Sequence, residues 1–295
     1  KFLHVSVFLH LPMTSRLFLA AMVIATAGIV ASATKSSDGK FTLMSPNPFW
    51  SATGSQRRPP RPCPKYMSEL ADYRRRHQGL PPVVNWVKRG AVTPVSDQGY
   101  CGGACVAFAI TGNVEGVNFV TNRRLIPLSA QEIVSCAHDG CCGGWPQTSF
   151  DWLLNHTHGR LCTAASFPFN SSSGNSGAAC RTNCTTGAII EAQISIAQSE
   201  AAIATSLVMT GPVLVSVDAS TWSEYTGGVM TNCTFQYLSH TAVAVGYDDT
   251  HHPPYWLIKN SWGTTWGEAG YIRIAKGSNQ CGINQLPSTV RVRRA

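Results

Sequence analysis

Charge is scarce in this 295-residue chain: 13% of residues are Asp, Glu, Lys or Arg, against 44% hydrophobic. That balance excludes a disordered polar chain and leaves room for one large domain or two ordinary ones. The formal net charge of +8 is not spread evenly. Residues 1–84 carry eleven Lys/Arg and three Asp/Glu, whereas residues 85–295 carry twelve of each. A module without net positive charge lacks the footprint of a phosphate binder, which argues against nucleic acid as a partner. Zinc-ligand spacing is missing too. No CxxC pair and no HxxxH pair occurs, so no metal and no other cofactor is expected. Internal repeats are also lacking.

Cysteine, by contrast, is plentiful. Eleven cysteines in an oxidising compartment would mostly pair, and an odd total leaves at least one out. A secretory route is indicated by the leader. Arg16 precedes LFLAAMVIATAGIV and then ASA at 31–33, the basic region, apolar core and small-x-small site of a signal peptide. Met13 is a candidate start. Residues 17–34 are uncharged, marginal for a span of roughly 20 residues, so a signal anchor stays open beside the favoured cleaved signal. N-x-S/T sequons at Asn155, Asn170, Asn183 and Asn232 fit an exported glycoprotein, extracellular or in a lysosome-like compartment. No stable membrane anchor is expected once the signal is removed.

The segment 34–64 is rich in Ser, Pro and Arg and reads as flexible. MSELADYRRRH at 67–77 suits a short basic helix, and GLPP at 79–82 breaks the chain, placing a boundary near Pro82. Helices come next. CVAFAITGNVEGVNFV (105–120) is apolar on more than one face, as a buried helix is, although Gly112 and Gly116 weaken its propensity. Ser129 with Glu132 forms a capping box for a second helix, TSFDWLLNH (148–156) reads as a third, and SEAAIATSLVMTG (199–211) runs from Ser199 as N-cap to Gly211 as stop. The later half is stranded: PVLVSVDA, HTAVAVGY, PYWLIKN and GYIRIA. Helices first and strands later imply an α+β fold.

One stretch carries chemistry: DQGYCGGACVAF, residues 97–108. Cys105 starts the predicted helix and Cys101 does not. A helix start favours a thiolate, drawing the pKa below its free value of about 8.5 when a cation is also near. His240, at the head of HTAVAVGY, is the candidate base. Asn260, at the end of PYWLIKN, offers an amide oxygen to orient the imidazole. A Cys, a His and an Asn in that order make an activated nucleophile with an oriented base.

These residues resemble the Q-G-x-C-G-S-C-W-A-F stretch of papain-like cysteine proteases. Further markers are VNWVKRGAVTPVSDQG, GNVEG, SAQEIVSC, GCCGGWP, GPVLVSVDA, YTGGVMTNC, SHTAVAVGY and YWLIKNSWGTTWGEAGYIRIAKGSNQCG. The likeness runs from about Pro82 to the end and is nearest to cathepsin L and cruzipain-type enzymes. It implies a two-lobe fold with the cleft between a helical lobe (about 82–190) and an antiparallel β-barrel-like lobe (about 191–295). Ahead of it stand a signal peptide (1–33) and a short or degenerate propeptide (34–81). The implied activity is a monomeric cysteine endopeptidase that acts on proteins and peptides through a thioester and is open to cystatin-like inhibitors.

By the same resemblance Cys105 is the nucleophile, His240 the base and acid, Asn260 the orienter and Gln98 a donor to the oxyanion. Trp262 would cover the His–Asn bond. Gly143 and Gly144 would pair an extended substrate, and Trp145, Pro146 and Leu286 would shape the pocket for the second residue before the cleavage site, with an apolar preference. Bridges are implied at Cys101–Cys141, Cys136–Cys180 and Cys233–Cys281. Cys162 and Cys184 are open as a fourth; Cys63 and Cys142 have no obvious mate.

The pattern also breaks. Gln98 and Cys105 stand seven apart where the family has six, because GGA replaces GS. A bulge is expected there, its unusual φ/ψ absorbed by Gly102 and Gly103. Val106 stands where relatives have Trp, and Thr241 where they have a small residue. The competing reading is a catalytically impaired homologue that serves as a peptide-binding or regulatory module.

Overall fold

The computed structural model describes residues 79–295 apart from 138, 139 and 176, together with two short strands, β1 (Ala33–Lys35) and β2 (Phe41–Leu43), which pair antiparallel. The signal segment read at 1–33 lies, but for its last residue, outside the described residues. So do the basic helix read at 67–77, Cys63, and most of the segment 34–81.

Helix α1 (Cys105–Asn122) is the longest described helix, at 18 residues, and is buried along most of its length. Its two interior glycines, each worth about 1 kcal/mol of lost propensity, have a packing reason. A Cβ on Gly116 would lie 2.4 Å from Cγ of Pro212, and one on Gly112 would lie 3.1 Å from Cγ2 of Val243. The helix gives up intrinsic stability so that its backbone can approach the sheet.

Helix α2 (Ala130–Cys136) is capped by Ser129 Oγ, which accepts from Glu132 N at 3.0 Å. The capping box closes only halfway. Glu132 turns its carboxylate to Cys162 N at 2.8 Å, and Ser129 N donates instead to Cys162 O. Helix α3 (Pro146–His156) starts two residues earlier than the sequence pattern suggests, because Pro146 suits the first helical position. Helix α4 (Glu200–Thr210) runs between the expected cap, Ser199, and stop, Gly211 (φ 105°).

The remaining strands are β3 (Val83–Asn85), β4 (Arg160–Cys162), β5 (Thr186–Ser195), β6 (Val213–Val217), β7 (Val229–Met230), β8 (His240–Asp248), β9 (Tyr255–Lys259), β10 (Tyr271–Ala275) and β11 (Ser288–Val292). Their order is β4-β5-β11-β6-β8-β9-β10-β7, with β3 added on β8. All these pairs are antiparallel except β10–β7. β5 and β11 escaped the sequence reading, since each alternates small, polar and apolar residues without a strong run. The α+β architecture has two cores. One gathers α1, α2 and α3 around Ile110, Ile133, Phe150 and Leu153. The other packs α4 on the strands around Trp222, Tyr247 and Trp256.

Candidate active site

The extra residue before Cys105 does not form a strained bulge. Gly102–Ala104 make one turn of 3-10 helix that runs straight into α1, and neither Gly102 nor Gly103 has positive φ. Glycine is needed there for space instead. A Cβ on Gly103 would lie 2.1 Å from Gly143 N, and one on Gly143 (φ +85°) would lie 2.9 Å from Gly103 Cα. The two backbones touch, and the Cys101–Cys141 disulfide ties the same segments together. Bridges also join Cys136–Cys180, Cys162–Cys184 and Cys233–Cys281, while Cys105 and Cys142 are thiols.

Cys105 is buried at the first position of α1. Its sulfur lies among the backbone N–H groups of Thr241, Val106 and Cys105 itself, so the helix start meets β8 at the residue after His240. His240 Nε2 stands 2.7 Å from Asn260 Oδ1. The same oxygen accepts from Ser261 N at 2.8 Å, which fixes which end of the amide faces the ring. An oxygen cannot donate, so the imidazole proton is on Nε2 and the Nδ1 lone pair is free to act as a base.

Burial sets the charges. It pushes the Cys105 thiol up from 9.0 to about 11, against the three backbone N–H groups that draw it down. It pushes His240 down from 6.5 to about 4, against the Asn260 bond. The thiolate expected from a helix start is therefore overridden at rest: desolvation outweighs the partial positive charge of the helix end, and both groups are neutral.

Two indole rings, backed by a third, and a chain ladder hold the imidazole. Trp262 lies 4.9 Å from His240 between ring centroids and Trp222 lies 5.6 Å away, with Trp266 stacked behind at 6.1 Å from Trp222 and 5.0 Å from Trp262. Trp256 belongs to the same core. Trp222 and Trp266 were not selected from sequence, and no periodicity marks them. Gln98 N donates to Ser261 O and Gly263 N to Ser96 O, so the segment before Cys105 is laced to the segment after Asn260.

Gln98 is buried, its Oε1 taken by Ser261 Oγ at 2.8 Å. Its Nε2 donates to Cys101 O at 3.2 Å and Gly102 O at 2.9 Å, which occupies both amide hydrogens.

The cleft is walled by Gly103, Cys105, Val106, Cys142, Gly143, Gly144, Trp145, Pro146, Ser216, Leu238, Ser239, His240 and Thr241. Leu286 is half-buried and stands outside this lining; Ser216 and Leu238, which sequence reasoning passed over, stand in it. Trp145 is exposed at the rim. Glu132, Cys162 and Cys184 bring three possible metal-ligand atoms within 4.8 Å, but the disulfide uses both sulfurs. Chemically, the cleft can deliver a thiol and an oriented neutral base to one extended ligand.

A sequence profile described as "Papain family cysteine protease" matches residues 80–291. A cysteine proteinase of Trypanosoma brucei brucei is 44% identical over 214 residues, covering 72% of this chain and 47% of the relative. Cysteine proteinase B of Leishmania mexicana is 42% identical over 219 residues, covering 73% and 49%. The chain thus spans about half the length of these curated relatives. Among solved structures, the bromelain protease of Ananas comosus in complex with the E64 inhibitor superposes with a TM-score of 0.65 at 32% identity, covering 72% of this chain and 99% of that one. Digestive procathepsin L 3 of Tenebrio molitor larval midgut gives 0.65 at 31%, covering 72% and 70%.

Proposed function

The chain belongs to the papain family of cysteine proteases, and from that premise we propose that it is an endopeptidase working through Cys105, His240 and Asn260. The observation that carries this is the 2.7 Å bond between His240 and Asn260, which leaves Nδ1 as base in the same cleft as an unbridged Cys105. Since both partners rest neutral, the Sγ proton passes to Nδ1 as the sulfur attacks the scissile carbonyl carbon. The oxyanion is taken by the Cys105 N–H. The imidazolium then gives its proton to the leaving amine, a thioester remains, and His240 draws a proton from water to hydrolyse it. No cofactor enters.

Trp262 shields the His–Asn bond. Gly143 and Gly144 pair the substrate backbone, and Trp145, Pro146 and Leu238 receive an apolar side chain at the second position before the cut. Comparable turnover of Phe and Arg at that position overturns this preference. The substrates are proteins and peptides met in a secretory or lysosome-like compartment, and cystatin-like inhibitors are expected to bind. Residues 82–295 act as the peptidase domain.

A second reading has one observation in its favour. Gln98 spends both amide hydrogens on backbone carbonyls, so it serves the oxyanion only by releasing one of them. A homologue that keeps them there loses roughly 2.7–4 kcal/mol of barrier lowering and is left a peptide-binding module. An epoxide probe of the E64 type followed by mass mapping separates the two. Modification at Cys105, with turnover lost in Cys105→Ala, supports the enzyme; folded, reduced protein that stays unmodified favours the binding module.

A further inference from the structure

Behind the cleft lies a second, larger cavity of about 330 Å3, between α1, the segment Thr93–Ser96, the loop before α2, and the ends of β8 and β9. Its volume falls at the lower end of roughly 300–1,000 Å3 that small-molecule sites occupy. Much of the wall is apolar, including Val95, Phe108, Pro127, Leu128, Phe169 and Val243. Phe108 and Phe169 meet edge to face, with centroids 4.8 Å apart.

The polar groups in this wall are unbalanced. Lys259 is 8% exposed and its ammonium makes one hydrogen bond, to Thr93 Oγ1 at 2.9 Å, out of three it can donate. Asn260 is 3% exposed, and its buried Nδ2 has no hydrogen-bond partner. Each oxygen of the nearby Glu115 carboxylate accepts one bond. Glu115 Oε2 takes the Thr93 hydroxyl at 2.6 Å and Oε1 takes Leu128 N at 2.7 Å. Asn260 Oδ1 holds His240 and Ser261 N. Thr93 thus relays between two opposite charges, and the buried donors left on this wall are the remaining Nζ hydrogens of Lys259 and the Nδ2 group of Asn260.

We propose that this interlobe cavity is a binding site for a small carboxylic acid with an aromatic or branched apolar body. The ligand carboxylate accepts from Lys259 Nζ and Asn260 Nδ2, and its body packs on Phe108, Phe169 and Val95. Charge-assisted bonds in a desolvated site supply the preference for an anion. Burial holds the Lys259 ammonium below its usual pKa against the attraction of Glu115, and holds the Glu115 carboxyl above its own against that of Lys259, so the ligand carboxylate shares the ammonium with Glu115. The proposal does not depend on the hydrolase reading, because binding needs neither Cys105 nor turnover.

The test titrates para-trifluoromethylbenzoate, and its neutral amide, into the full chain and follows ligand fluorine NMR. The acid is expected to saturate at or below about 1 mM, and the amide to bind at least about tenfold more weakly. Ala164→Phe, which fills the cavity from a position outside the catalytic cleft, and Lys259→Met should each weaken the acid by about tenfold or more. Equal binding of acid and amide overturns the proposal. So does undiminished binding to folded Ala164→Phe, or no binding by about 10 mM.

Discussion

On the helix side of the cleft, Cys105 is held by backbone and by covalent bonds: a 3-10 turn, a glycine-on-glycine contact with Gly143, and the Cys101–Cys141 disulfide. On the strand side, His240 is held by side chains: an amide oxygen and the rings of Trp222 and Trp262. The first arrangement fixes position by direct backbone contact, so it tolerates no added atom. The second fixes orientation through large ring contacts, so it tolerates no lost one. Both walls exclude water, and that is why both titratable groups rest neutral.

The sharpest break of this contrast is Trp222→Ala. Trp222 is fully buried, packs on His240, Trp262 and Trp266, and donates to Cys281 Sγ. Truncation is expected to cost about 3–5 kcal/mol, read by urea unfolding. Less than about 1 kcal/mol would mean that the rings do not hold the strand wall.

Acid acts on the same wall. His240 has a folded-state pKa of about 4, below its ordinary 6.5, because burial penalises the imidazolium, so protonating it costs stability. Its contribution is complete above pH 6.5 and is lost as pH falls toward about 4, on the order of 3 kcal/mol in all. Glu132 works oppositely: burial raises it from 4.5 to about 7, and stability falls as pH rises through that window. Unfolding of wild type and His240→Gln at several pH values isolates the first effect. The gap between them should narrow with acid; a constant gap falsifies the burial account.

The smallest expected stability change, with a large functional one, is Gly103→Ala on the helix wall. Its Cβ must displace backbone at Gly143, for about 1–3 kcal/mol in unfolding. On the proposed mechanism, a shift of about 1 Å at Cys105 would reduce peptide turnover roughly a hundredfold. Full turnover would show that the glycine contact positions nothing.

Much of the candidate site was legible along the chain because its proposed members sit at ends of elements that have local signatures. Cys105 starts an apolar helix, His240 starts a β-branched strand, and Asn260 follows another. What escaped was set by neighbours distant in sequence. Trp222 and Trp266 lie in loops with no period, and the helix glycines make sense only against Pro212 and Val243. Ser216 and Leu238 reach the cleft through the pairing of β6 with β8 and the turn before His240. Glu132 satisfied a local motif on paper yet spends its carboxylate on Cys162, thirty residues away.

By itself the sequence determined the order and type of most elements, the family likeness, and the residues able to supply a thiol, a base and an amide oxygen. Spacing and local propensity act over a few residues, and those features need no more. Only the tertiary structure decided the protonation of Cys105 and His240, the partners of the Gln98 amide, and the cavity that gathers Lys259 and Asn260. Each of these depends on which distant groups remove water from an atom, and desolvation is a property of the packed whole.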